Sequence, residues 1–317
     1  MQPDPLNPVP SCPLPPWATR LVGIVAGDLA VFFIYAAGVV VLPRLESLAV
    51  LGIPSFFLVP VVGGLVASFL WSSLNPTIGA TVLNTLWMSL LAMAVAILAF
   101  HEGIICILIV APLLFVAALA GSLDGRIMFK RPPTHLQISV LPLVFAAAFA
   151  EPLTRVETLH VVADQITIRA PVEKVWQQLT AFPEIPAAPG FWLFRIGLPY
   201  PTSTMSTGDF VGADRECIFS GEAIFKERVT ELVPFENLTF DIVESPKDPE
   251  LIGHLTPRRG QFLLHDNGDG TTTLTGSTWY TLQVRPAWYF DLWTRHIFRA
   301  VHLRVMEDIR RRAESSE

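Results

Sequence analysis

Two histidines that could transfer protons, His296 and His302, lie in a C-terminal segment that predicts a long helix, Trp288–Arg312. They are six positions apart, so they lie on different helix faces and make a poor pair for binding a metal ion. As a general base, either imidazole would need a carboxylate or hydroxyl partner within hydrogen-bond reach. The sequence names no such partner, so a packed or surface histidine is the favoured interpretation of both.

Alternating residues of one predicted strand place Arg215, Cys217 and Phe219 on a common face. If that face points inward, Arg215 could hold a ligand carboxylate or phosphate through two parallel hydrogen bonds. The favoured alternative is a charged side chain exposed on the strand. Glu227 and Arg228, on the next predicted strand, are expected on a solvated face.

Aromatic residues supply further candidates for a ligand pocket. Trp279 and Tyr280 are neighbours in a predicted strand and must point to opposite faces, so one of them should face a cavity. A tyrosine there could orient a polar ligand group through its hydroxyl. Trp176 faces inward from a short helix, where plain core packing is favoured over a pocket wall. Leu292, His296 and Leu303 of the terminal helix are further pocket candidates. They share one face of that helix with Ala300.

Several chemistries are absent from the sequence. It has no His-x-x-x-His and no paired cysteines, so no metal ion or cofactor is predicted. It has no G-x-S-x-G motif and no phosphate-binding glycine loop. Cys12, Cys106 and Cys217 show no disulfide spacing. The net charge of −6 argues against nucleic acid as a partner.

Charge is distributed unevenly along the chain. Up to Thr154 there are five basic and six acidic residues, against 17 and 22 in the remainder. A bilayer-spanning helix needs about 20 apolar residues. Four apolar runs are long enough, Leu21–Leu42, Leu48–Leu74, Thr77–Phe100 and Gly103–Leu123, and a shorter fifth run is Leu136–Ala150. The sequence therefore predicts four or five membrane spans followed by a soluble half.

Asp28 and Glu102 are the ionisable residues that deserve a functional hypothesis in the membrane half, because a charge within a span is costly. Both could instead reach the headgroups, which is the favoured interpretation. The basic loop with Arg126, Lys130 and Arg131 is expected to face the cytoplasm. Five spans would then place the soluble half outside the cytoplasm and four would place it inside, with the extracytoplasmic side slightly favoured.

The soluble half predicts an α+β domain, because a strand and two short helices are followed by about six strands and one long helix. The stretch APVEKVWQQLTAFPEIP reads as an amphipathic helix between two prolines, and HDNGDGTTT as a hairpin turn. An antiparallel sheet curled round the terminal helix would leave a cavity between them. The expected division is a disordered proline-rich tail over 1–19, a transmembrane helical domain over 20–153 and the soluble domain over 156–314.

The soluble half resembles the SRPBCC or helix-grip superfamily, which includes START lipid-transfer domains and polyketide cyclases/dehydrases. The resemblance rests on the order of ITIRAPVEKVWQQLTAFPEIP, GDFVGADRECIFSGEAIFKERVTEL, RRGQFLLHDNGDGTTTLTGSTWYTL and VHLRVMEDI. It implies a curved antiparallel sheet around a long C-terminal helix and a pocket for lipids or other apolar molecules. The stretch HEGIICILIVAPLLF resembles a multi-span segment fused to such domains in some bacterial proteins.

The favoured function is therefore binding or transport of a lipid-like ligand by a domain tethered to a membrane, with a bacterial inner membrane implied. The expected partners are a hydrophobic small molecule or lipid and the bilayer, and the sequence names no protein partner. A cyclase/dehydratase-like enzyme and a ligand-responsive membrane sensor or scaffold remain as alternatives. Ligand binding predicts an apolar cavity of several hundred cubic ångströms. The enzyme would in addition need converging polar groups inside it, such as an inward Arg215 or Tyr280 next to His302 or Glu227.

Overall fold

The computed structural model describes residues 14–41, 57–100, 103–129, 158–246 and 255–315. The chain divides into two compact units that are considered separately. The first consists of Met1–Ala49, Ile53–Ala96 and Val110–Leu153, and the second of Val50–Gly52, Ile97–Ile109 and Thr154–Glu317.

Apolar helices make up the first half of the chain: α1 (Pro16–Val41), α2 (Val59–Trp71, followed by the 3-10 turn Ser72–Leu74), α3 (Ile78–Phe100) and α4 (Ile104–Met128). Among the described residues, three helical stretches are long and apolar enough to cross a membrane, namely Pro16–Ile34, Ile78–Ala99 and Ile104–Met128, and Val59–Leu74 is a shorter apolar helix. The bundle of four or five spans stays a prediction. Its proposed fifth run, Leu136–Ala150, and Glu102 lie outside the described residues, as does most of the proline-rich tail.

Small residues bring the helices of the first unit close together. A Cβ atom added to Gly27 would lie 2.9 Å from the Gly63 carbonyl oxygen, and one on Gly64 would overlap the Ala118 carbonyl oxygen. The pair Gly63-Gly64 in the apolar run Leu48–Leu74 predicts close helix packing from the sequence, and these close approaches confirm it. Apolar side chains such as Phe33 and Trp87 are exposed. Polar side chains are buried instead, among them Asp28, Ser68, Thr81, Asn84, Thr85, Ser89 and Ser122.

The second unit contains a seven-stranded antiparallel sheet with the order β1-β7-β6-β5-β4-β3-β2. Its strands are β1 (Leu159–Ile168), β2 (Pro201–Ser206), β3 (Asp214–Phe219), β4 (Ile224–Val233), β5 (Asn237–Glu244), β6 (Leu255–Asp266) and β7 (Thr272–Leu282). Two short helices, α5 (Val172–Trp176) and α6 (Trp192–Arg195), separate β1 from β2. The long helix α7 (Ala287–Ser315) follows β7. The predicted succession of a first strand, short helices, several antiparallel strands and a long terminal helix is confirmed, but β2 was not among the predicted strands.

The apolar and aromatic run Phe191–Leu198 predicts a strand from the sequence, and this prediction was wrong, because the structure places α6 there. Its adjacent residues Leu193 and Phe194 are both buried, which a helical turn permits and an alternating strand does not. A short apolar run does not distinguish the two conformations by its periodicity. The predicted hairpin turn between β6 and β7 is confirmed, with positive φ angles at Gly268 and Gly270.

The core of the second unit lies between the sheet and α7, as in a helix-grip domain. Ile168 of β1 and Leu274 of β7 pack in one cluster with Met306 and Ile309 of α7. The amphipathic segment around α5 closes this core, because Val175 and Leu179 are fully buried in the same cluster. The curled sheet and its terminal helix therefore enclose the space in which the candidate site lies.

Candidate functional site

A cavity of about 100 Å³ lies within the second unit between the sheet and α7; we call it the inner chamber. Its wall is largely aromatic, because inward positions of β3, β4, β5 and β6 carry phenylalanine. Six phenylalanines line it: Phe182, Phe219, Phe225, Phe240, Phe262 and Phe298. Such a wall offers a ligand extensive apolar contact and little hydrogen bonding.

A second cavity of about 400 Å³ adjoins the inner chamber; we call it the outer chamber. The two share six lining residues, Phe219, Phe225, Ile242, Pro257, Phe298 and Val301. Further apolar wall comes from Leu198, Val243, Leu255 and Ile297. The inner chamber alone is smaller than the sequence-based expectation of several hundred cubic ångströms, and the outer chamber is of that size. Together they could hold an elongated molecule.

A buried ion pair lies in the wall of the inner chamber. Strand alternation points Arg215 of β3 and Glu227 of β4 to the same side of the sheet, and the two residues face each other across the pair of strands. Arg215 Nη1 is 3.1 Å from Glu227 Oε2, and the side chains are 2% and 7% exposed. The expectation of solvated charges at these two positions was wrong, whereas Arg228 is exposed and pairs with Asp214.

Two backbone carbonyl groups accept hydrogen bonds from the Arg215 guanidinium. Its Nε donates to the Thr180 carbonyl oxygen at 3.1 Å, and its Nη2 donates to the Leu179 carbonyl oxygen at 3.4 Å. Its Cζ lies 4.3 Å from the centre of the Phe240 ring, within cation–π range. Gly260 makes room for that ring, because a Cβ at this position would overlap it. The parallel Nε and Nη2 donors that a side-on contact with a ligand carboxylate would use are therefore already bonded, and Nη1 faces Glu227.

Burial dominates the protonation chemistry of this wall. It raises the pKa of Glu227 to about 7, against the opposing effect of the Arg215 charge. Burial, together with the negative charge of Glu227, raises the pKa of the Cys217 thiol to about 12. Cys217 is therefore a neutral thiol near pH 7, which makes it a poor nucleophile.

His302 of α7 has both of the partners that the sequence did not name. Its Nδ1 is 2.9 Å from Asp164 Oδ2 of β1, and its Nε2 is 2.8 Å from Thr278 Oγ1 of β7. With Asp164 ionised, the carboxylate accepts the Nδ1 proton, so Nε2 accepts a hydrogen bond from the Thr278 hydroxyl. Burial lowers the pKa of His302 despite Asp164, which keeps the imidazole neutral. His302 and Thr278 both line the inner chamber.

A second polar cluster anchors the beginning of α7 to the sheet. The Tyr280 hydroxyl donates to Asp291 Oδ1 at 2.6 Å, and His160 Nδ1 lies 3.0 Å from the same oxygen. Arg295 Nε donates to Asp291 Oδ2 at 2.7 Å. Burial and the contact with Asp291 raise the pKa of Tyr280. None of these four residues is among those lining either chamber.

The structure brings together three of the residues proposed from sequence, Arg215, Cys217 and Phe219, on the wall of the inner chamber. It places the others elsewhere. Trp176 packs against the core and the Phe235 ring, and Trp279 lies in β7 on the face opposite Tyr280. The face of α7 proposed from its apolar spacing is directed away from both chambers: Leu292 is 66% exposed, and His296 and Leu303 line a surface groove beside Ile185 and Phe191.

Three wall or supporting residues were missed by the sequence reasoning, namely Glu227, Asp164 and Thr278. Alternation could have found Asp164 and Glu227, because each occupies an inward position between apolar neighbours of the same strand face. Their charge favoured a solvated assignment instead. Asp164 and His302, which are hydrogen-bonded, are 138 positions apart in the sequence, so no local sequence pattern predicts this contact.

Comparisons with known proteins reveal a set of solved structures related to about half of the chain. No protein-family model matches the sequence, and no curated protein matches it. A protein from Nitrosospira multiformis is 21% identical, with a TM-score of 0.35 over 49% of this chain and 97% of that one. Norcoclaurine synthase from Thalictrum flavum is 14% identical, with a TM-score of 0.36 over 52% and 99%. At such identities and TM-scores, these similarities carry no argument about function.

Proposed function

We propose that the second unit binds an apolar small molecule in the inner and outer chambers and that the apolar helices tether it to a membrane. The observation that carries this proposal is the aromatic and aliphatic wall common to both chambers, built around Phe219, Phe225 and Phe298. Large, largely apolar cavities with a few convergent polar groups are the usual form of small-molecule sites. A lipid-like ligand fits this wall.

Tethering has a physical advantage for such a function. Each methylene that leaves the bilayer for water costs about 0.8 kcal/mol, so an eight-carbon chain alone costs roughly 6 kcal/mol. A binding cavity held near the bilayer shortens the time that the chain spends in water. Exposed apolar side chains on α1 and α3, such as Phe33 and Trp87, support placement of these helices in lipid.

The test is ligand binding by the full chain purified in detergent. Mass spectrometry of co-purified compounds should identify an apolar molecule, and a fluorescent fatty alcohol should bind and be displaced by it. Val301→Trp, at a position shared by both chambers, should block binding by filling the cavity. Leu292→Trp, on the exposed side of the same helix, is the matched control and should bind normally. Equal binding by both variants would contradict the proposed site.

Membrane insertion and orientation are tested separately. Alkaline carbonate washing of membranes should leave the full chain in the pellet if the helices span the bilayer. Release into the supernatant would contradict insertion. A C-terminal reporter that is active only outside the cytoplasm should be active if the favoured orientation is correct, and a cytoplasmic reporter should be active in the opposite case.

A second candidate function, catalysis of the cyclase/dehydratase kind on an apolar substrate, is favoured by one observation. A neutral imidazole oriented by a carboxylate lies in the chamber wall, with Asp164, His302 and Thr278 connected by hydrogen bonds. Such an arrangement suits a general base. Incubation of a co-purified compound with the full chain should then change its mass or retention time, and His302→Ala should abolish the change. Recovery of the compound intact from the wild-type protein would contradict catalysis.

A further inference from the structure

We propose that the inner chamber selects amphiphiles whose inner end is uncharged and forms hydrogen bonds, such as an alcohol, and discriminates against carboxylates and phosphates. This inference deepens the proposed function and rests on it. It concerns the chemical class of the ligand's polar end, which apolar lining alone does not determine. Three features of the chamber carry it: its charge balance, its committed arginine and its unmatched polar atoms.

The charges in the chamber wall already compensate each other. Arg215 and Glu227 form a buried pair at 3.1 Å, so a ligand meets no net charge there when both are ionised. Asp164, which is 9% exposed, lies behind His302, and its other carboxylate oxygen is 3.7 Å from Arg299 Nε, so this charge is also compensated. An anionic group placed in this chamber would lose its hydration, and the one arginine among the described lining residues, Arg215, is already paired with Glu227, which makes the transfer unfavourable.

The hydrogen bonds of Arg215 also disfavour an anionic ligand. Carboxylate and phosphate recognition by arginine uses two adjacent N–H groups in parallel. Here Nε and Nη2 are bound to the carbonyl oxygens of Thr180 and Leu179, and the guanidinium also rests on the Phe240 ring. A side-on bidentate contact through Nε and Nη2 would require breaking these interactions, and the remaining nitrogen, Nη1, faces the Glu227 carboxylate. The residue suggested from sequence as an anion receptor is therefore built into the wall as part of a neutral pair.

Three buried polar atoms of the wall nevertheless make no hydrogen bond with nitrogen or oxygen among the described residues: Arg215 Nη1, Glu227 Oε2 and Thr204 Oγ1, the last of which lies beside the Cys217 thiol, a weak partner. The first two are in ionic contact without the geometry of a hydrogen bond. One is a donor, one is an acceptor and the hydroxyl can be either. A ligand hydroxyl both donates and accepts, so a small shift of these side chains would allow it to match them. A carboxylate only accepts, and it would be repelled by Glu227.

The experiment compares ligands that differ only in the polar end. The full chain in lipid nanodiscs at pH 8, above the pKa of Glu227, is titrated with decan-1-ol and with decanoate, and free ligand is measured by equilibrium dialysis. Wild-type protein should bind the alcohol at least about tenfold more tightly, since the carboxylate would lose its hydration without gaining a free pair of donors. Decanoate binding as tightly as decan-1-ol would overturn the inference and leave the proposed function intact. Binding of neither would overturn both.

Variants reverse or preserve this preference in a predictable way. Glu227→Gln leaves Arg215 as an uncompensated cation and should shift the preference toward decanoate by at least about tenfold. Glu231→Gln removes a carboxylate from an exposed position of the same strand and should leave the preference unchanged. Thr204→Val should weaken decan-1-ol binding without changing decanoate binding. If Glu227→Gln does not fold, the ratio of decan-1-ol to decanoate affinity in wild type and the effect of Thr204→Val on decan-1-ol binding still test the inference.

Discussion

The two histidines of α7 allow a matched test of how the closing helix is held to the sheet. His302 is 6% exposed and has two hydrogen-bond partners on different strands, Asp164 on β1 and Thr278 on β7. His296 lies in the surface groove, where its ring contacts the Phe191 ring edge-on at 5.1 Å. The same substitution, histidine to leucine, can therefore be made on the buried and the exposed side of one helix.

The magnitude follows from the bonds that are lost. The hydrogen bond to the Asp164 carboxylate is charge-assisted and contributes about 1.5–3 kcal/mol, and the bond to Thr278 about 1 kcal/mol. His302→Leu also leaves the carboxylate, 9% exposed, without this donor, and the added apolar contact offsets part of the loss. We expect a net loss of about 2–4 kcal/mol in the free energy of unfolding of the second unit. For a unit of this size that corresponds to a decrease of roughly 4–16 °C in Tm.

The assay is thermal unfolding of the full chain in detergent, followed by tryptophan fluorescence and combined with hydrogen-exchange mass spectrometry. Peptides from β1, β7 and the second half of α7 should lose protection in His302→Leu. His296→Leu should change the unfolding free energy by less than about 0.5 kcal/mol, as surface substitutions usually do. Equal Tm values for the two variants would refute this prediction, because they would show that the hydrogen bonds of His302 to Asp164 and Thr278 do not hold α7 to the sheet.

Three further predictions concern the inner chamber. Gly260→Ala should destabilise the second unit by about 1–3 kcal/mol, because its Cβ would overlap the Phe240 ring, and a Tm equal to that of wild type would contradict this. The folded-state pKa of Glu227, about 7, lies above the ordinary 4.5, so the folded protein binds this proton more tightly than the unfolded chain does. The stability that this proton adds is full below pH 4.5 and is lost as pH rises through 7. The Tm of wild type minus the Tm of Glu227→Gln should therefore fall over that range, and a constant value would contradict the raised pKa. The double variant Arg215→Met/Glu227→Leu should stay within about 2 kcal/mol of wild type in urea unfolding, since apolar replacement of a buried pair is often neutral or stabilising, whereas a much larger loss would mean that the pair stabilises the fold.

The order of elements in the second unit was predictable because its signals are local. The prolines around the α5 segment limit a helix, and the asparagine and glycines near Gly268 permit positive φ in the hairpin turn. The error at Phe191–Leu198 was also local, because four consecutive apolar or aromatic residues fit a buried strand as well as a helical turn. Here packing of Leu193 and Phe194 decided the conformation.

Candidate site residues were harder to predict, because inward and outward faces of a strand look alike when they carry charges. The alternation that grouped Arg215, Cys217 and Phe219 was sufficient to place all three on the chamber wall. For α7, the apolar face containing Leu292 and Leu303 was chosen by spacing, while the sheet packs against the face containing His302 and Met306. A helix that is apolar on more than one side does not reveal from its sequence which side meets the sheet.

The sequence by itself determined the apolar helical half, the charged half and the succession of strands and helices, because hydropathy, turn residues and side-chain periodicity act over a few neighbouring positions. Only the tertiary structure decided that Arg215 and Glu227 compensate each other and that Asp164 and Thr278 flank His302. These contacts depend on strand pairing and on the rotation of α7 about its axis. Both are fixed by the packing of the whole unit, since a buried charge is tolerated only where the fold provides its partner.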